Sequence, residues 1–125
     1  ISHAKIGETD FSGLKDARTI TIDDAALKSV NLPVSSELKQ LNLSGNELTE
    51  LDLSKFPNLY FLSLNDNKLK TFDLSKAKKL GLALLAGNNM KEIKIDNPDL
   101  WNLDLSKNAF ESVSLDNAPA TLVER

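Results

Sequence analysis

The fold is decided by a frame that recurs in the chain. It reads Leu38-x-x-Leu41-x-Leu43-x-x-Asn46-x-Leu48, then Leu59-x-x-Leu62-x-Leu64-x-x-Asn67-x-Leu69, then Leu80-x-x-Ala83-x-Leu85-x-x-Asn88-x-Met90. A fourth copy follows as Leu100-x-x-Leu103-x-Leu105-x-x-Asn108-x-Phe110. Asn46, Asn67, Asn88 and Asn108 are spaced by 21, 21 and 20 residues. One step back lies a degenerate copy, Ala17-x-x-Ile20-x-Ile22-x-x-Ala25-x-Leu27, with Ala25 where the others carry Asn. Terminal repeats of an array are atypical in this way.

A second period is nested in the first. Halfway along each repeat the same spacing returns as Leu27/Val30/Leu32, Leu48/Leu51/Leu53, Leu69/Phe72/Leu74, Met90/Ile93/Ile95 and Phe110/Val113/Leu115. Six positions in five repeats make 30 slots, and all 30 are apolar in a chain that is 41% hydrophobic, which excludes chance. Each half-repeat holds only 10 or 11 residues, too few for a strand, a turn and a helix of about 10 residues or more. The paired leucines alternate with period 2, so both point inward and the residue between them points out. Coils stacked at about 4.8 Å then give a parallel ladder over one continuous apolar column. Each Asn falls where the chain leaves the strand, and its amide can both donate to and accept from the backbone of that turn. A central leucine such as Leu62 should contribute roughly 2–5 kcal/mol.

The LxxLxLxxNxL frame, with Leu51-Asp52-Leu53-Ser54 and Phe72-Asp73-Leu74-Ser75 after it, resembles the leucine-rich repeat family in its short 21-residue bacterial form. The resemblance spans about residues 17–120. It implies a solenoid, a horseshoe or right-handed superhelix with a parallel β ladder, mostly β and irregular with little helix. The repeats divide as 17–37, 38–58, 59–79, 80–99 and 100–120. Residues 1–16, with Ile6, Phe11 and Leu14, are expected to cover the first coil, and 121–125 form a tail without an evident cap. The resemblance further implies a non-catalytic module that binds a protein or glycan, on an exported or cell-surface protein of a bacterium. The chain starts at Ile1 without Met, so a longer natural protein is expected.

Composition narrows the chemistry. The length of 125 residues suits one domain with a core. There are 15 Lys+Arg against 18 Asp+Glu, and this acidic balance removes the usual reason to expect a nucleic-acid partner. No stretch approaches the roughly 20 apolar residues of a membrane span. Without Cys there is neither a disulfide scaffold nor a thiolate for catalysis or zinc. His3 is the single His and has no triad partners in sight; Gly45 and Gly87 belong to repeat turns rather than a phosphate loop. Asp23-Asp24 is too little for a metal, and no cofactor is expected.

The outward positions of the Asn-bearing side form a grid. Its columns read Arg18, Lys39, Tyr60, Gly81, Trp101; then Thr19, Gln40, Phe61, Leu82, Asn102; then Thr21, Asn42, Ser63, Leu84, Asp104. The first two coils are polar, whereas the later ones gather the only Tyr and the only Trp beside three large apolar residues. A one-residue slip at Gly81-Leu82-Ala83-Leu84-Leu85 would bury Gly81 and Lys91, so the unslipped frame is preferred. Tyr60, Phe61, Leu82, Leu84, Trp101, Asn102 and Asp104 are therefore the candidate binding residues, with Asn46, Asn67, Asn88 and Asn108 as a structural ladder. Exposed apolar patches with Trp and Tyr mark contacts. The competing reading has the patch covered by a neighbouring domain or a second copy, the chain acting as a spacer, and a monomer or weak homodimer in solution.

The other side is polar: Lys28, Asn31, Glu50, Asp52, Lys70, Asp73, Glu92 and Lys94. Asp52 and Asp73 fall one coil apart, about 5 Å, which would suit a pair of glycosidase carboxylates. An open face beside lysines gives no desolvation to raise either pKa, so both read as surface residues. The run Lys76-Ala77-Lys78-Lys79 reads as a solvated turn. Asn42-Leu43-Ser44 matches a glycosylation sequon by chance, since Leu43 must point inward.

Overall fold

The computed structural model describes residues 8–110. The half-repeat from Val113 to Leu115, the tail, His3 and Ile6 lie outside the described residues. Each strand is three residues long and hydrogen-bonds a strand of a neighbouring coil. On the Asn side, β2 (Thr19–Thr21), β4 (Gln40–Asn42), β5 (Phe61–Ser63), β7 (Leu82–Leu84) and β9 (Asn102–Asp104) form one parallel sheet in that order. Thr19 pairs with Gln40, Gln40 with Phe61, Phe61 with Leu82, and Leu82 with Asn102. The register therefore advances by one whole repeat per strand, which is what stacked coils require. The chain is a solenoid with a parallel ladder and, among the described residues, no α-helix.

Alternation within each strand sets the core. Ile20, Leu41, Leu62, Ala83 and Leu103 point inward and are buried, with Ile22, Leu43, Leu64, Leu85 and Leu105 beneath the turn. Ala83 and Leu85 are buried while Leu82 and Leu84 are half-buried, so the frame runs unslipped through coil 4.

Each Asn stitches its own coil to the one before. Asn46 Oδ1 accepts from Ala25 N (3.1 Å) and Leu27 N (3.0 Å), and its Nδ2 donates to Ile22 O (2.7 Å) and Leu43 O (2.9 Å). Asn67 accepts from Leu48 N (3.0 Å) and donates to Leu43 O (2.9 Å) and Leu64 O (3.2 Å). Asn88 and Asn108 repeat the pattern on Leu69 N, Leu64 O and Leu85 O, and on Met90 N, Leu85 O and Leu105 O.

The opposite side is less regular than a uniform second ladder. β1 (Glu8–Asp10) pairs with β3 (Ser29–Asn31), and β6 (Thr71–Asp73) with β8 (Glu92–Lys94), while Glu50–Asp52 between them carries no strand. Coils 1 and 2 are tied on either side of this break, by Glu47 N to Leu27 O (2.7 Å) and Ser35 N to Lys55 O (2.9 Å). A cavity of about 460 Å³ lies at this break, with Leu32, Leu51 and Phe56 among its lining residues. The break coincides with Phe56, the bulkiest of the fully buried side chains.

Two 3-10 turns, Leu53–Lys55 and Leu74–Lys76, follow this side, capped by Asp52 and Asp73. Coil 4 is one residue shorter and lacks such a turn. The fully buried Asn97 closes the gap, donating to Leu74 O (2.9 Å) and Ala77 O (2.8 Å).

Candidate functional site

The strand face carries the candidate residues on coils 3 to 5. Tyr60 and Trp101 are 48% and 52% exposed, which sets them apart from the other aromatic side chains of the described coils. Phe61, Leu82 and Leu84 are half-buried outward residues of β5 and β7, and Asn102 is exposed on β9. Asp104 is half-buried, and its Oδ1 accepts from Ser106 N (3.0 Å) and Ser106 Oγ (2.7 Å), so it also caps its own turn.

Two features of this face appear only once the coils are stacked. The first is a bridge. Trp101 Nε1 donates to Tyr60 Oη at 2.8 Å, although the two residues stand two coils apart. The rings meet over Gly81, the column neighbour between them. A Cβ there would lie 2.5 Å from Tyr60 Cε1 and 2.9 Å from Trp101 Nε1. Only a residue without a side chain permits the bridge. The signal in the sequence was the triplet Tyr60, Gly81, Trp101 read down one column.

Gly81→Ala tests this account. Gly81 is not among the positive-φ glycines, so its backbone accepts alanine, and stability should change by no more than about 1 kcal/mol. The new methyl must push the two ring ends apart. Trp101 is the sole Trp, so its emission maximum should shift. An unchanged spectrum would show that the bridge does not form in solution.

The second feature is a substituted cap. Asn42 and Asp104 each cap their own turn, Asn42 Oδ1 accepting from Ser44 N (3.0 Å) and Ser44 Oγ (2.6 Å). Leu84 occupies the same column in coil 4 and cannot accept. Its turn is served instead from coil 3, where Asn65 Oδ1 accepts from Ala86 N at 2.8 Å. Coil 4 therefore presents an apolar side chain where coils 2 and 5 present a capping group.

The polar side offers no acid–base pair. Asp52 Oδ1 accepts from Ser54 N (2.9 Å) and Ser54 Oγ (2.6 Å), and these bonds hold its carboxyl below the usual carboxylate range. Asp73 is tied in the same way to Ser75. Both carboxylates cap turns, and the lowered pKa of Asp52 is the wrong direction for a general acid. Lys78 pairs with Asp96 and Lys68 with Glu47, both at 3.1 Å. Among the described residues no three His, Cys, Asp or Glu side chains converge to hold a metal ion. No helix of the described residues is long and apolar enough to cross a membrane.

Comparison with known proteins agrees with this architecture. A family model described as leucine rich repeats (2 copies) matches residues 36–76. No curated protein matches the chain. Among solved structures, a leucine-rich repeat protein of Leptospira interrogans is similar, with a TM-score of 0.69 and 27% identity over 81% of this chain. The chain spans 27% of the length of that protein's chain. Modules of this fold are generally non-catalytic units for protein binding or scaffolding. The recurring frame thus carries two leucine-rich repeats matched at residues 36–76, in a solenoid whose fold is similar to that of a leucine-rich repeat protein.

Proposed function

We propose that the chain is a recognition module that binds a protein partner through the apolar and aromatic strand face of coils 3 to 5. The observation that carries this reading is the composition of coil 4. It gives up a side chain at Gly81, over which Tyr60 and Trp101 meet, and gives up a turn cap at Leu84. Neither choice improves the core. Both enlarge an outward apolar surface, and burying such surface is the main driving force of association. Tyr60, Phe61, Leu82, Leu84 and Trp101 are the contact residues, with Asn102 and Asp104 at the rim. The resemblance to short bacterial repeats, together with the Leptospira neighbour, supports a place on an exported or surface protein of a bacterium.

The test compares the wild type with the double variant Leu84→Ser, Trp101→Ser on a peptide display library and a glycan array. Both substitutions are outward, so the variant should keep its far-ultraviolet spectrum. Library peptides enriched on the wild type should bind the variant at least tenfold more weakly. Equal binding by the folded variant would refute the assignment of this face. Saturable wild-type binding confined to glycans would replace the protein partner with a saccharide.

A further inference from the structure

We infer that the partner enters as a short extended peptide, its apolar residues on coils 3 to 5 and an acidic residue or two on coils 1 and 2. The inference rests on the strand face being the recognition surface, and it adds the partner's shape and charge.

Shape follows from area. Five strands at about 4.8 Å and three residues of about 3.3 Å each give a face of roughly 24 Å by 10 Å, on the order of 250 Å². A stable contact between folded proteins covers about 800 Å² on each partner. The footprint of these five strands suits a peptide of about seven extended residues laid along the solenoid axis. The peptide cannot join as a further strand on this face. The backbone of β4, β5 and β7 is already paired on both edges, so only side chains are available to read it.

Charge follows from the column that holds the bridge. It begins with Arg18 and Lys39 before reaching Tyr60, Gly81 and Trp101. Both cations are exposed. Asp16 and Glu37 stand two residues before them, yet neither cation forms an ion pair with any described residue. Lys39 lies one coil spacing, about 5 Å, from the level of Tyr60, and Arg18 about 10 Å. An extended peptide rising about 3.3 Å per residue reaches them two to three residues after its apolar anchor. Carboxylates placed there meet two unpaired cations, whereas lysines would be repelled.

Four fluorescein-labelled octapeptides test this. One carries phenylalanine and leucine in one half and two glutamates in the other, on a serine background. The second exchanges the glutamates for lysine, the third exchanges the apolar pair for serine, and the fourth is serine alone. Anisotropy should show saturable binding of the first, at least tenfold weaker binding of the second, and none of the last two. Binding of the first should weaken as salt is raised. Arg18→Glu with Lys39→Glu should invert the preference between the first two.

Equal binding of the glutamate and lysine peptides, or no response to the double charge reversal, would overturn the inference while leaving the apolar face in place. Equal binding of the apolar and serine-exchanged glutamate peptides would overturn both. No saturable binding by any of the four would overturn the inference. So would self-association of the wild type at tens of micromolar that Trp101→Ser abolishes, since a second copy would then be the occupant.

Discussion

Leu62→Ala should lower the unfolding free energy by about 2–5 kcal/mol, toward the upper end of that range. Leu62 is fully buried in the middle strand of the sheet, with Leu41 and Ala83 as its rungs on either side. The cost of such a truncation depends on how far the surroundings can collapse into the space left. Here collapse is blocked on two sides. The strands are held at ladder spacing by backbone hydrogen bonds, and the Ala83 methyl is too short to reach across. The break falls at the centre of an array in which each coil contacts only its neighbours. Flanking coils should therefore lose their coupling as well as the central one its stability. Urea denaturation should show both effects, a lower midpoint and a shallower slope. A loss below about 1 kcal/mol would mean that the column repacks around the void.

Asn67→Ala should cost about 3–5 kcal/mol, comparable to the leucine although it removes only an amide group. One buried donor, Leu48 N, loses its partner, and Leu43 O and Leu64 O each lose one of two amide donors, Asn46 and Asn88 still supplying the other. Leaving a buried donor unsatisfied costs about 1–3 kcal/mol, and each of the two other bonds lost costs about 0.5–1.5 kcal/mol. Asn67 is 6% exposed, so water cannot enter freely to replace the amide. Asn65→Ala is the internal control. It removes one hydrogen bond, from the half-buried Ala86 N, and should cost about 1 kcal/mol. Denaturation midpoints of the two variants, with amide exchange at Leu48, measure the difference. Similar losses for the two would show that Asn67 is not the stitch between coils 2 and 3.

The stitch and the column differ in how legible they are. Leu62 and Asn67 can be assigned by counting, because the repeat places the same residue in the same environment several times. Departures from the repeat are harder to read. Asn97 lies in the one short coil and replaces a 3-10 turn with side-chain hydrogen bonds, and no neighbouring repeat announces that substitution. Asn65 serves a turn in the next coil, a contact between residues 21 apart that arises only once the coils are stacked. The interruption at Glu50–Asp52 is of the same kind, since the sequence there keeps the frame while the ladder opens beside Phe56.

The sequence by itself determined the coil length, the inward and outward faces and the positions of the Asn ladder. These are periodic, and a period of two within a period of 21 admits a single stacked arrangement that buries every apolar slot. It also brought Tyr60 and Trp101 to one column. Only the tertiary structure decided that they touch, because the hydrogen bond spans 41 residues and depends on the space left by Gly81. Local spacing fixes direction, whereas contact between side chains two coils apart depends on what the intervening coil leaves out.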